Sequence, residues 1–194
     1  MHKSVEEFSV KTLEVGGLGA ALQALRLPFG KCTRSVVYSH VEQHSMVPNA
    51  FRFRSDVYPD DKDLKLLQAL IKRGDEHAKV LRGVVVWCEI NAPRYLWVEF
   101  DTYKIGAERL SSESTMHIEG KGLSEDELIE MKEHIEESHM QKRVWMFSYQ
   151  TLRRIYYQRK GHRLPQWKMF CDWIKTLPLA QELIICDGDD NSDK

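Results

Sequence analysis

The order of hydrophobic and polar positions predicts strands at the start of the chain and again near residue 85. Between residues 5 and 15, apolar side chains recur among polar ones as far as Gly16 and Gly17, and this pattern indicates one or two strands. A turn into a helix is favoured there over a phosphate-binding loop, because the full GxGxxG pattern is missing. The continuous run GVVVWCEI, residues 83–90, predicts a strand buried on both faces.

Two amphipathic segments in the first half predict helices. The segment LGAALQALRL ends before Pro28, which cannot continue a helix. The segment LKLLQALIKRG follows Asp60 and Asp61 and ends at Gly74. Acidic residues at the start and glycine after the end match the helix dipole and the common C-terminal stop, so this second helix is well defined.

A third helix is predicted directly after the buried strand. It begins at Pro93 and runs through YLWVEFDTYK, with Leu96, Phe100 and Tyr103 at the spacing of one apolar face. The following residues, 105–122, are rich in serine, threonine and glycine. They are predicted to form a loop or a weak strand.

Helical patterns dominate the second half of the chain. Ser124 and Glu127 form a capping box for the helix EDELIEMKEHIEESH. A further helix is predicted from Lys142 to Lys160, and Pro165 begins the last one, QWKMFCDWIKTL. The interpretation is an α+β fold with a small antiparallel or mixed sheet packed against a helical bundle.

Composition limits the chain to one ordinary globular domain. Of its 194 residues, 42% are hydrophobic and 29% are charged, which suits a single domain over residues 1–185 and an acidic, disordered tail over residues 186–194. The formal net charge is -1, which argues against binding to nucleic acid as a main function. The absence of a long apolar run excludes a membrane span. We expect a cytoplasmic protein, since its four cysteines form no CxxC pair.

Two kinds of site are disfavoured by the residues around the candidate side chains. His40 and His44 have a spacing that metal ligands use, but the neighbouring residues do not match the zincin pattern, and no metal site is predicted. Cys88 and Cys171 lie among apolar residues, which raise the pKa of a thiol and weaken it as a nucleophile.

The first candidate binding segment is FDTYKIGAERLSSESTMH, residues 100–117, directly after the buried strand and its helix. Precise polar sites are often held at the ends of core elements. The alternative is an ordinary solvated loop. The candidate ligand-binding side chains are Asp101, Tyr103, Lys104, Ser111, Ser114 and His117.

The second candidate segment is LRRIYYQRKGHRLPQW, residues 152–167, which combines basic and aromatic residues. Arg159 and Arg163 could hold a phosphate, because a guanidinium binds phosphate through two parallel hydrogen bonds. The alternatives are a charged surface helix and an RNA-binding helix. The nearly neutral whole chain argues against RNA.

The order of elements over residues 5–178 resembles that of the flavin-dependent thymidylate synthases. GGLGAALQALRLPFG is similar to the family's early helix, and VVVWCEINAPRYLWVEF resembles the strand, Ala-Pro and helix that precede its signature. DLKLLQALIKRGDEH resembles the helix before the family's His-Glu flavin segment. The resemblance implies a thymidylate-synthase-complementing type of fold, with cofactor contacts by His77 and Arg154.

The signature of that family is Arg-His-Arg, then a serine, then Asn-Glu and Ser-x-Arg-Tyr. Asp101, Thr102 and Tyr103 stand at the places of Arg-His-Arg, and only Ser111 matches the remainder. The later segment resembles the family more closely. Arg159 falls on an arginine that meets the nucleotide, and a Gln-Trp pair follows it at residues 166–167.

The resemblance implies a divergent relative that binds a pyrimidine deoxynucleotide. It could modify carbon 5 of dUMP, with FAD as the cofactor and folate as the one-carbon donor. It also implies a homotetramer. The segments FDTYK, STMH and RKGHRLPQW are similar to those of proteins of phage and prophage genomes. The alternative hypothesis is a nucleotide-binding or nucleotide-sequestering protein that keeps the fold without the reaction.

Overall fold

The computed structural model describes residues 8–30 and 59–186. Within them lies a four-stranded sheet in the order β1-β2-β4-β3, in which every neighbouring pair is antiparallel. The strands are β1 (Ser9–Gly16), β2 (Val85–Pro93), β3 (Ala107–Ser112) and β4 (Met140–Ser148).

Eight α-helices occur in the described ranges. They are α1 (Leu18–Arg26), α2 (Asp61–Lys72), α3 (Arg94–Phe100), α4 (Thr115–Ile118), α5 (Glu125–His134), α6 (Tyr149–Arg159), α7 (Pro165–Lys175) and α8 (Ala180–Leu183). Two 3₁₀ turns, Leu27–Phe29 and Lys79–Gly83, follow α1 and precede β2. The predicted α+β class is therefore confirmed.

One face of the sheet and the apolar sides of the helices form the core. Along β2, fully buried residues alternate with half-buried ones, so the prediction of a strand buried on both faces was wrong. An antiparallel sheet commonly packs only one face on the core. That face of β4 presents Trp145 and Phe147, against which α3 places Trp97 and Phe100.

Several predicted elements are confirmed with their boundaries. Asp60 caps α2 by accepting a hydrogen bond from the backbone of Asp63 at 2.7 Å, and Gly74 follows the helix with a φ of 102°. The capping box of Ser124 and Glu127 is formed at the start of α5. Pro165 begins α7, whose predicted apolar face is buried: Trp167, Phe170, Cys171 and Ile174.

The prediction of one helix from Lys142 to Lys160 was wrong in its first half. Residues 140–148 form β4, which pairs with β2 and β3 on its two sides. The chain becomes helical at Tyr149, directly after Ser148, whose hydroxyl caps the helix by accepting a hydrogen bond from the backbone of Thr151. The spacing of the apolar residues in this run would also fit a helix. Pairing along both edges, together with the branched and aromatic side chains, favours the strand.

Two further helices are shorter than predicted. Helix α3 ends at Phe100, so Asp101 and Thr102 form a turn. Helix α5 ends at His134 and buries none of its residues fully. Of the loop or weak strand predicted for residues 105–122, the strand is confirmed as β3. The short helix α4, which follows it, was not predicted.

The turn predicted between β1 and α1 depends on a glycine. Gly17 has a φ of 86°, and an added Cβ would lie 1.8 Å from the carbonyl oxygen of Gly83. In β1 a register shift between Thr12 and Glu14 turns Leu13 outwards. The strand thereby places both Thr12 and Val15 on the buried side.

Some predictions concern residues outside the described ranges. His40 and His44 lie there, and so do residues 187–194 of the predicted acidic tail. Over the ranges that are described, no helix is long and apolar enough to cross a membrane.

Candidate functional site

Helix α3 has three faces that differ in what they contact. One face packs into the core through Leu96 and Phe100, which are fully buried. A second face meets α7 and the end of α6 through Tyr95 and Glu99. The third face forms one wall of a cleft of about 320 Å³ through Arg94, Trp97 and Val98, and Asp101 continues this wall just after the helix ends.

The second face contains a network that we call the Glu99 cluster: Glu99, Tyr103, Arg159, His162 and Trp167. One oxygen of the Glu99 carboxylate accepts hydrogen bonds from Arg159 Nη1 at 2.6 Å and from Trp167 Nε1 at 2.9 Å. Arg159 Nε donates to the Tyr103 hydroxyl at 2.7 Å. The guanidinium also lies over the Trp167 ring, 4.5 Å from its centroid.

His162 completes the Glu99 cluster from the loop between α6 and α7. Its Nδ1 accepts a hydrogen bond from the backbone of Leu164 at 3.2 Å, so the proton of the neutral ring is on Nε2. That nitrogen lies 3.5 Å from the Glu99 carboxylate. The cluster therefore joins α3, α6 and α7 through one acidic group.

The third face of α3 opens onto the space that we call the Arg143 cleft. Its other walls come from Thr115 of α4, Lys132 of α5, and Gln141 and Arg143 of β4. Arg143 lies over the Trp97 ring at 4.4 Å, and its Nε donates to the side chain of Gln141 at 3.0 Å. The Lys132 ammonium donates to the Thr115 hydroxyl.

Asp101 lies at the mouth of this cleft, half exposed. Its carboxylate is 3.6 Å from Arg143 Nη1 and 3.9 Å from Arg109 Nη1. Both distances are too long for direct hydrogen bonds. One carboxylate is thus shared by two guanidinium groups.

The structure brings together only part of the predicted binding set. Tyr103 and Arg159, from the two candidate segments, are in direct contact. Asp101 faces the opposite side of α3, towards Arg143. The remaining predicted ligand-binding residues are exposed or half buried along the chain: Lys104, Ser111, Ser114, His117 and Arg163.

The two residues predicted to contact a cofactor are in different settings. His77 is exposed in the turn after α2. Arg154 is half buried on α6, and its Nη2 donates to the carbonyl oxygen of Ile105 at 3.3 Å. It therefore fastens the loop before β3 to α6.

Three residues of these sites were missed by sequence reasoning. Glu99 sits four residues before Tyr103, and one helical turn could have placed it beside the same partner. His162 stands out in the sequence only as one member of the basic segment at residues 152–167. Arg143 was assigned to a helix, and its position in the cleft follows only from the register of β4 against β2, where it pairs with Ile90.

The two buried thiols are poorly suited to nucleophilic catalysis, as predicted. Burial raises the pKa of Cys88 far above its ordinary value. Burial also raises the pKa of Cys171 to about 11, with a further contribution from the neighbouring carboxylate of Asp172. Neither thiol forms much thiolate near neutral pH.

Comparison with solved structures identifies the fold. Two crystal structures of flavin-dependent thymidylate synthase from Helicobacter pylori, each with FAD and dUMP, are similar to this chain. They are 17% and 16% identical to it, with TM-scores of 0.59 and 0.60. In both cases the match covers 91% of this chain and 97% of the other. No protein-family model matches, and no curated protein does.

The chain therefore has a fold like that of flavin-dependent thymidylate synthases. At 16–17% identity the similarity describes the arrangement of elements and not the chemistry of the site.

Proposed function

We propose that this chain binds a pyrimidine deoxynucleotide, with dUMP as the first ligand to test, beside the C-terminal half of α3. Modification of carbon 5 of the base, with a flavin and a folate one-carbon donor, is the reaction that the fold suggests. A homotetramer is the assembly that accompanies it in the resembled family.

The observation that supports binding is the contact between Tyr103 and Arg159. These residues come from the two segments that the sequence singled out, and they meet at the end of α3 through a hydrogen bond of 2.7 Å. The structures with a similar fold contain dUMP and FAD. A polar cleft on the neighbouring face of the same helix has the size of a small-molecule site.

The role of Arg159 in this proposal is to position Tyr103. Its Nη1 is already bound to Glu99, and its Nε to Tyr103. An arginine committed to an internal carboxylate is a poor phosphate ligand, because binding would have to break that pair. Asp101, Tyr103, Lys104, Ser111, Ser114 and His117 are the proposed contacts to base, sugar or cofactor, and Arg163 is an exposed cation nearby in sequence.

The end of α3 does not fit FAD well. Asp101 contributes a carboxylate there, and the Thr102 hydroxyl donates to the carbonyl oxygen of Glu99 at 2.7 Å. The Tyr103 hydroxyl accepts from Arg159. No guanidinium stands at the three places where the resembled family has Arg-His-Arg. We therefore derive no reaction step through a flavin, and His77 and Arg154 stay proposed contacts.

Binding is tested by the melting temperature of the purified chain with increasing dUMP. A ligand that binds the folded state raises the free energy of unfolding, by about 2.7 kcal/mol at one hundred times its Kd, and the melting temperature rises with ligand concentration. We expect dUMP to do so and dAMP to do so much less. Equal shifts with both nucleotides, or none with either, would overturn the proposal.

A second candidate is nucleotide binding without the reaction. Two observations favour it: Asp101 pairs with Arg143 and Arg159 pairs with Glu99, so both groups have internal partners. The helix end also lacks the arginines of the resembled family. The absorption spectrum of freshly purified protein separates the two candidates. A flavin spectrum and turnover of dUMP would support the enzyme, whereas dUMP binding with neither would support the binding protein.

A further inference from the structure

The Arg143 cleft contains buried hydrogen-bond donors that have no acceptor. Within the described part of the chain, Trp97 Nε1 and Arg143 Nη1 are inaccessible to solvent and lack a hydrogen-bond partner. Trp97 is 1% exposed, and the Arg143 side chain is 12% exposed. Trp145, whose ring stacks on Trp97, has a third such donor in its Nε1.

Unpaired buried donors are costly, because each has lost its water without gaining an acceptor. Native proteins have only a few such groups per hundred residues, so three in one neighbourhood call for an explanation. All three are donors, and two of them belong to residues that line the cleft, so this wall favours a ligand that supplies acceptor oxygens.

The charges around the Arg143 cleft indicate the same kind of ligand. Arg94, Lys132 and Arg143 line it, against the carboxylates of Asp101 and Glu137. The Arg94–Glu137 pair is loose, with 4.0 Å between the charged atoms, and the Glu137 side chain is well exposed. Lys132 contacts the neutral Thr115 hydroxyl. The lining therefore has a net positive charge.

Arg143 has too little negative charge around it. Burial lowers the pKa of its guanidinium, Asp101 raises that pKa, and the nearby cations Arg109 and Arg94 lower it again. The Asp101 carboxylate also pairs with Arg109, whose Nη1 lies 3.9 Å away. An anion in the cleft would relieve this imbalance.

The guanidinium of Arg143 is also held in place before any ligand arrives. Its plane lies over Trp97 at 4.4 Å, and Nε is anchored to Gln141. Anchoring through Nε leaves Nη2 for a ligand, whereas Nη1 is enclosed beside Asp101. A pre-positioned arginine of this kind suits an oxyanion, which it binds through parallel hydrogen bonds.

We propose that the Arg143 cleft is a binding site for a phosphate-type oxyanion, with Arg143, Lys132 and Arg94 as its cationic ligands. Its volume of about 320 Å³ accommodates a phosphate with an attached sugar. In the nucleotide complex, this is the site of the 5′-phosphate. That last assignment rests on the proposed function, whereas the oxyanion site itself does not.

The test measures binding of three probes by calorimetry at low salt: inorganic phosphate, dUMP and deoxyuridine. The full chain is compared with Arg143→Met, Lys132→Met and the matched control Arg109→Met. Arg109 carries the same charge and faces the same Asp101, but it does not line the cleft.

We expect Arg143→Met to weaken phosphate and dUMP at least tenfold, since a charge-assisted hydrogen bond and a nearby charge are lost. Lys132→Met should weaken both severalfold with only a small fall in the melting temperature of the free protein, because Lys132 is exposed and gives up one hydrogen bond, to Thr115. Arg109→Met should change either affinity less than threefold. Deoxyuridine, which lacks the phosphate, should bind equally to all four proteins. If Arg143→Met does not fold, the Lys132→Met result decides.

The proposal is overturned if the lysine variant and the control have the same affinity for phosphate, or if phosphate does not bind. If dUMP binds tightly and its affinity is unchanged in Arg143→Met and Lys132→Met, the oxyanion site is refuted and the proposed function stands. If phosphate binds through Arg143 but dUMP binds no more tightly than phosphate, the cleft stands and the proposed function fails.

Discussion

At the scale of single residues, Glu99 is the group on which the junction of three helices depends. Its carboxylate is 28% exposed, and one oxygen serves both Arg159 and Trp167. Hydrogen bonds to a charged group contribute more than neutral ones, and leaving a partly buried partner unpaired adds a further cost. The residue therefore couples the end of α3 to α6 and α7.

The variant Glu99→Gln tests this coupling. It keeps the shape of the side chain and removes the charge that Arg159 pairs with, so we expect a loss of about 1 to 3 kcal/mol in the free energy of unfolding. Urea denaturation measures it. The control Glu108→Gln removes a charge from an exposed position on β3 and should change stability by less than about 0.5 kcal/mol. Equal midpoints for both variants would contradict the coupling.

Thiol reactivity gives a second test at this scale. Because the pKa of Cys171 is raised to about 11 and that of Cys88 is raised further, both should stay unmodified by iodoacetamide at pH 8 in the folded protein. Peptide mass spectrometry after labelling measures this, with the protein unfolded in guanidinium as the control. Full alkylation of Cys171 in the native state would show that the core is open there.

At the scale of elements, most of the fold could be predicted from periodicity and caps. Helices α1, α2 and α7 follow from their apolar faces and their boundary residues. Strand β4 could not be predicted in the same way, because a run such as KRVWMFS fits either period over so short a length. Its pairing with both β2 and β3 is long-range information, and the position of Arg143 depends on it.

The connection from β1 to α1 offers a test with an internal control. Gly17 and Gly122 have nearly the same positive φ, 86° and 87°. A Cβ at Gly17 would meet the carbonyl of Gly83, whereas at Gly122 it would meet nothing within 4 Å. We expect Gly122→Ala to cost about 1 kcal/mol from backbone conformation alone, and Gly17→Ala about 2 to 4 kcal/mol. Denaturant midpoints that are equal for the two would refute the close approach.

At the scale of the whole molecule, the site depends on the short helix α3, which makes a different contact on each of its three faces. Helix α3 is fixed to the sheet by its aromatic residues and to α7 by Glu99, and it presents the remaining face to the Arg143 cleft. The sequence singled out the segments of Tyr103 and Arg159 as candidate binding segments, and the structure places these two side chains in contact. The sequence could not predict that Asp101 turns away from them, since that depends on where the helix ends.

Hydrogen exchange with and without dUMP tests the central claim, that a nucleotide binds beside α3, most directly. The account predicts slower exchange on adding dUMP in residues 94–104 and 140–148. Exchange in α2, which contributes no residue to the cleft and no proposed contact, should be unchanged. Protection confined to α1 or α2, or no protection anywhere at saturating dUMP, would contradict it.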